Sequence, residues 1–485
     1  MLVVRSHRVV LPEGERAAAL HIGGGVIERI VEYTSEDPPG ATVFNVPDLV
    51  VSPGLIDTHV HINEPGRTDW EGFDTATRAA AAGGITALID MPLNSVPATT
   101  TVSALREKIE AARAKCHVDV GFWGGVVPGN SGELDALVDA GVRGFKCFLV
   151  PSGVEEFPAV TEDDLRQALP ILARRGVPLL VHAEIIADRG LRNPQPNPQR
   201  NPQPNPQPNP QSNPQSNPQS NPQSNPQSNP QSAIHNPQYA AYLATRPPSM
   251  ELDAIRLMVR LAEEFKARVH IVHVSSAEGV EAIASAKADW VPITAETCPH
   301  YLTFAAGDIA DGATEFKCAP PIREAAHRDA LWQGLASGAL DLIATDHSPS
   351  PPALKTAGDF IGAWGGIASL ELSLPAAWTR LRGYAGEAGQ EGALNDLARW
   401  MSAAPASLAG LGERKGRIAE GFDADLVVWD PEADFVVDPA RLHQRHKLTP
   451  YAGRSLFGTV VTTFVRGERV WDRNRLARAG GGQML

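Results

Sequence analysis

From residue 51 onward the chain alternates short apolar runs with stretches long enough for a helix. The runs are Ile85 to Asp90, Val118 to Trp123, Gly144 to Leu149, Leu179 to His182, Val269 to Val274 and Asp341 to Asp346. Repeated strand and helix alternation over this length predicts a parallel α/β barrel of the TIM type, a (β/α)8 fold. Before residue 51 the pattern differs. Short β-rich runs, Leu2-Val3-Val4, Ala19 to Ile22 and Val26 to Val31, alternate with turns such as Gly23-Gly24-Gly25 and predict an antiparallel sheet. The same pattern returns after about Ala404, in Ala424 to Trp429 and Gly458 to Glu468. The two chain ends, 1–50 and 405–485, are therefore expected to form one small β-sandwich domain, with the barrel over 51–404 between them.

One stretch obeys neither pattern. Residues 193–232 repeat a tetrad, first Asn-Pro-Gln-Pro with a variant at Arg200, then Asn-Pro-Gln-Ser. Proline this frequent excludes helix and sheet, and the polar remainder has nothing to bury, so an extended or disordered insertion in a barrel loop is expected. A further copy of the unit, Asn236-Pro237-Gln238, follows, and the tract reads as an expansion of that unit by repeat slippage. Apart from Arg200, the repeats lack the aromatic or basic anchors that a docking segment for a partner protein would use.

Composition narrows the partners. The chain has 485 residues, enough for a barrel and a satellite domain. Its net charge is -13, from 43 basic and 56 acidic residues without a long basic run, which argues against nucleic acid or an anionic membrane surface and for small-molecule chemistry. Cys116, Cys147, Cys298 and Cys318 form no Cys-x-x-Cys pair, so neither a disulfide framework nor a zinc knuckle is indicated. With no leader pattern and no apolar run of membrane-spanning length, a soluble cytoplasmic protein is expected.

The chemistry begins at Asp57-Thr58-His59-Val60-His61, which ends an apolar run. Residues i and i+2 of a strand face the same side, so His59 and His61 are either a pair of ligands for one metal ion or two ordinary histidines on a polar strand face. Lys146, His182, His273 and Asp346 also fall near the ends of separate apolar runs, where a barrel of this type gathers its active site. Lys146 lies inside Gly-Phe-Lys-Cys-Phe-Leu, where a buried ammonium carries a heavy desolvation cost. Such a lysine either snorkels to the barrel mouth or, with a depressed pKa, reacts with CO2 to give a carbamate whose oxygens bridge two metal ions. Four histidines, one carbamate and one aspartate make a sensible ligand count for a binuclear site.

These motifs, Pro53 to Gly66, Gly144 to Phe148, Val181-His182-Ala183-Glu184, Ile271 to Ser276 and Thr345-Asp346-His347-Ser348-Pro349, closely resemble the cyclic amidohydrolase branch of the amidohydrolase superfamily over nearly the whole chain. The resemblance implies that His59 and His61 bind the more buried metal with Asp346, that His182 and His273 bind the second, and that carboxylated Lys146 bridges the two. It implies a homotetramer, and two divalent ions for which zinc, cobalt, manganese or iron would suit the ligands. Dihydroorotases carry an arginine just after the His-x-His pair, and Asn63 stands there instead. Dihydropyrimidinases and hydantoinases share the ligands but not the stretch Asn63 to Phe73, which with Asp90 to Ser95 and Ala363 to Ala368 is similar to allantoinases. The expected reaction is ring opening of allantoin to allantoate by a bridging hydroxide, with Asp346 shuttling the proton. Asn94, Cys318, Ala319 and Pro320 are candidate substrate contacts. The tract at 193–232 belongs to no pattern of this branch. Other members of the superfamily serve as scaffolds without metal, but all six ligand positions stand in this chain.

Overall fold

The parallel strand pattern closes into a barrel. The computed structural model describes residues 1–186, 237–356, 358–385, 392–477 and 480–485, so the Asn-Pro-Gln tract lies outside the described residues. The barrel strands are β1 (Leu55–Val60), β2 (Ile85–Asp90), β3 (Asp119–Phe122, continued by Gly124–Gly125), β4 (Phe145–Phe148), β5 (Leu179–His182), β6 (Val269–Ile271), β7 (Ile293–Thr297) and β8 (Leu342–Ile343). Each neighbouring pair is parallel. Closure comes between β8 and β1, where Val60 bridges His347 and the His61 N–H donates to the His347 carbonyl at 2.8 Å. At Gly125 a Cβ would lie 2.4 Å from the Phe157 ring, so only glycine lets the strand approach that side chain.

Each strand is followed by a helix, and local sequence sets where those helices begin and end. Glu162–Arg175 is the clearest case. Thr161 and Asp164 form a reciprocal capping box, three acidic residues occupy its first turn, Arg174 and Arg175 its last, and Gly176 ends it at φ 68°. Its Leu165, Ala168, Leu169 and Leu172 recur at helical spacing and are buried in the main apolar core.

Inside the barrel a second apolar cluster fills the axis, with Ile56, Ile89, Trp123, Leu180 and Leu342 from the strands and Ala406, Leu408 and Leu411 from the segment after the barrel. Ser402, just before that segment, donates to the Pro53 carbonyl at 3.4 Å, so these residues plug the end from which β1 starts. The opposite end, where the strands finish, is left for polar groups.

The chain ends share one nine-stranded sheet around a core of Val4, Leu20, Val51, Leu426 and Phe464, giving the TIM barrel with a β-sandwich that the sequence pattern predicts. One expectation needs correction. The N-terminal part is not purely antiparallel, because Leu2–Leu11 pairs antiparallel with Gly14–Gly23 but parallel with Thr42–Asn45 and Val50–Pro53. The connection after Val31 crosses the sheet instead of turning back tightly, so the chain returns in the direction of Leu2–Leu11. No helix among the described residues is long and apolar enough to cross a membrane.

A buried ion network joins this sheet to the barrel base. Lys415 Nζ lies 2.8 Å from Asp119, 3.0 Å from Asp423 and 2.6 Å from Asp425, while Arg466 pairs with Asp119 and Arg414 with Asp423. Burial alone would lower the Lys415 pKa, but Asp425 and Asp119 hold it above the ordinary lysine value. Removing the cation strands buried carboxylates, so Lys415→Met is expected to cost about 3–5 kcal/mol in denaturant unfolding; a loss below about 1 kcal/mol would show that the network carries no such role.

Candidate metal centre

The polar side chains gather at the C-terminal ends of the strands. His59 is on β1, His61 just beyond it, Lys146 on β4 and His182 at the end of β5. His273 and Asp346 lie past the ends of β6 and β8, which are shorter than the apolar runs suggest. Both residues adopt left-handed backbone, φ 42° at His273 and φ 47° at Asp346. That conformation costs about 1–3 kcal/mol per residue and is held by the packing around it.

Five of the six predicted side chains pair in two groups, with Lys146 buried apart from direct contact with either. Asp346 Oδ1 is 3.2 Å from His59 Nε2 and 3.3 Å from His61 Nε2. His182 Nδ1 is 3.0 Å from His273 Nε2. The groups adjoin, since the His59 and His273 rings are 5.4 Å apart and ligand atoms of His59, His273 and Asp346 lie within 4.8 Å of one another. Lys146 is fully buried, and among the described residues its Nζ has no hydrogen-bond partner. Burial pulls its pKa down to about 8. Its Nζ lies 5.0 Å from the centre of the Phe148 ring, which stacks on His182.

The charge states suit cation binding. Burial lowers the pKa of His61, His182 and His273, favouring neutral imidazoles with free lone pairs. Burial would raise Asp346, yet His59 and His61 hold it well below the usual carboxylate range. Neutral imidazoles, an ionised carboxylate and an orphaned buried amine able to carry a carbamate form a donor set that fits two divalent cations.

Carboxylates behind the imidazoles fix their orientation. His59 Nδ1 bonds to Glu296, whose other oxygen lies 3.0 Å from His270 Nε2. His182 Nε2 lies 2.8 Å from Glu184, which also pairs with Arg246. Asp57 accepts from the His59 N–H at 3.0 Å and the Thr345 N–H at 3.2 Å, tying β1 to the turn that carries Asp346; burial raises its pKa to about 6. His300, buried near Asp346, is pushed down to about 4 by burial.

Of these, Glu296 sits on β7, a strand missing from the expected runs because Thr294, Glu296 and Thr297 interrupt its apolar character. All three are hydrogen-bonded to neighbouring strands or their ends. The signal for Glu184 is its place two residues after His182; Arg246 carries no local signal.

The predicted substrate contacts are less uniform. The Asn94 amide is 3.4 Å from His61 Nδ1. The Cys318 carbonyl accepts from Tyr242 at 2.7 Å, and the Pro320 carbonyl accepts from Tyr301, while Ala319 between them is half-buried.

A barrel of this form, with histidines, a buried lysine and an aspartate at its strand ends, defines a class of hydrolase. The chain belongs to the amidohydrolase family, whose model matches residues 50–192 and 239–470 and passes over the interval containing the tract. Within that family it belongs with the allantoinases. It is 48% identical over 471 residues to the allantoinase of Streptomyces avermitilis, spanning 97% of this chain and 95% of that one. It is 40% identical to the allantoinase of Arabidopsis thaliana, spanning 99% and 90%. Among solved structures, the L-hydantoinase (dihydropyrimidinase) from Arthrobacter aurescens matches with a TM-score of 0.84 at 29% identity, covering 100% of this chain and 99% of that one.

Glu296→Ala would remove the carboxylate that faces His59 Nδ1 and His270 Nε2 in a dry wall. A loss of about 2–4 kcal/mol in unfolding free energy is expected, and a stability equal to that of the parent would show that neither histidine depends on Glu296.

Proposed function

We propose that this chain hydrolyses the cyclic amide of allantoin to allantoate. The observation that carries the reading is the convergence of four histidines, a buried unpartnered lysine and an aspartate at the barrel mouth of a chain that belongs with the allantoinases. His59, His61 and Asp346 would hold one divalent cation, His182 and His273 the other, and Lys146, as its carbamate formed with CO2, would bridge them. The metals are zinc, cobalt, manganese or iron. When bound, such a pair supplies hydroxide near neutral pH and polarises the ring carbonyl.

The residues of the chain do the rest. Asp346, held ionised, takes the proton released by the attacking water and returns it to the ring nitrogen as the C–N bond breaks. Glu296 and Glu184 keep His59 and His182 in the tautomers that turn a lone pair towards the site. The filled barrel axis below closes off bulk water. Asn94 beside His61, and the Cys318-Ala319-Pro320 turn anchored by Tyr242 and Tyr301, are the proposed contacts to the ring and its ureido group. The same reading extends to a cytoplasmic homotetramer, checked by sedimentation of the purified protein.

The direct test is ring opening of allantoin, hydantoin, dihydrouracil and dihydroorotate by protein supplied with zinc, cobalt or manganese and bicarbonate. Selective formation of allantoate is expected; preference for another ring would reassign the substrate. Lys146→Ala should lose both bound metal and activity, with partial rescue by a short carboxylic acid, and full activity without rescue would exclude the bridge. Asp346→Asn is expected to lower kcat by roughly 10²–10⁴ while circular dichroism stays unchanged; kcat close to the parent value would remove Asp346 from the proton path.

A further inference from the structure

Beyond β8 the chain travels far before the helix Ser373–Ala385 begins. On the way, residues 358–366 carry Trp364 to the loops of other strands. Its indole packs edge-on against Trp70, which follows β1, with ring centroids 5.0 Å apart. It also lies against Gly153, which follows β4, where a Cβ would come within 3.6 Å of the ring. In an eight-stranded barrel β4 and β8 stand opposite each other, so a segment that leaves β8 and touches the chain after β4 crosses the mouth. Gly358–Gly366 is therefore a strap that reaches from the β8 side of the mouth to the loops after β1 and β4.

Two lysines grip that strap. Lys317 Nζ donates to the Ile361 carbonyl at 2.9 Å and to the Ala363 carbonyl, while the Lys317 carbonyl accepts from the Gly366 N–H at 2.8 Å. Lys355 Nζ donates to the Gly366 carbonyl. Both side chains are buried, and among the described residues neither has a carboxylate within ion-pair distance. The Lys317 ammonium lies instead 5.1 Å from the face of Tyr242. Burial lowers Lys317 to about 8 and Lys355 to about 7. Apolar side chains could secure a surface loop without this desolvation cost. Ammonium groups aimed at three carbonyls of one short segment add what apolar contact does not, a fixed backbone position.

We propose that Lys317 and Lys355 are positioning residues that fix the strap across the barrel mouth, and that Trp364 on the strap is a specificity-determining wall for the substituent on the substrate ring. The identity of that substituent, a ureido group, rests on the allantoin reading; the strap rests on geometry alone.

The test uses the metal-loaded full chain with Lys317→Met, Lys317→Arg and Trp364→Ala. Amide hydrogen exchange over 358–366 is followed together with kcat/KM for allantoin and for unsubstituted hydantoin. Lys317→Met is expected to speed exchange in 358–366 but not in Glu162–Arg175, and to lower the allantoin-to-hydantoin ratio of kcat/KM by about tenfold or more. Lys317→Arg, whose guanidinium can reach the same carbonyls, should keep most of the protection. Trp364→Ala should lower the ratio without speeding exchange. Unchanged exchange in Lys317→Met overturns the clamp, and an unchanged ratio in Trp364→Ala overturns the wall. If the parent chain opens other rings but not allantoin, the functional reading fails by itself; exchange still decides the clamp, and the ratio is then taken between substituted and unsubstituted hydantoins.

Discussion

The hydrogen bonds that join the first and last barrel strands bring together residues 288 apart in the chain, the Asp57 carboxylate and the Thr345 N–H, with the His61 N–H and the His347 carbonyl beside them. His59 and His61 stand on one side of this seam and Asp346 on the other. Their approach to about 3 Å is a consequence of closure and not of any local motif. Lys146 and His182, from the opposite part of the wall, can meet them only once the ring of strands is complete. The metal centre is thus a property of the closed barrel as a whole.

Closure also explains the burial of so much charge. A cation site needs anions and lone pairs in a dry place, and each such group costs free energy unless something behind it is hydrogen-bonded. The chain meets this with carboxylates placed one layer back, Glu296 behind His59 and His270, Glu184 behind His182, Asp57 behind the turn of Asp346. Arg246 in turn neutralises Glu184. At the other end of the barrel a separate ion network around Lys415 fastens the terminal sheet to β3, so the two ends of the barrel are polar for different purposes.

What the sequence made legible follows from where polarity interrupts apolar runs. His59, His61, Lys146, His182, His273 and Asp346 each break or end such a run, and the structure brings all six together. β7 escaped because its polar residues are too many: a strand whose Thr294, Glu296 and Thr297 all bond within the barrel wall no longer reads as buried. β8 is only two residues long, because the run that reads as a strand leaves the ladder before Asp346, where the Thr345 N–H bonds to the Asp57 carboxylate. Arg246 was illegible because its partner Glu184 lies 62 residues away, across the Asn-Pro-Gln tract. Lys317 and Lys355 stand in loops without periodicity, and their partners are backbone carbonyls, which carry no sequence signal at all.

The seam has one more consequence, for how the chain tolerates change in length. The entropy of closing a loop depends on the logarithm of its length, so deleting residues 193–232 from a loop of 288 would ease closure by only about 0.1 kcal/mol. That is a small fraction of thermal energy. The number of tetrads between β5 and the next helix is therefore nearly invisible to any selection that acts through folding equilibrium.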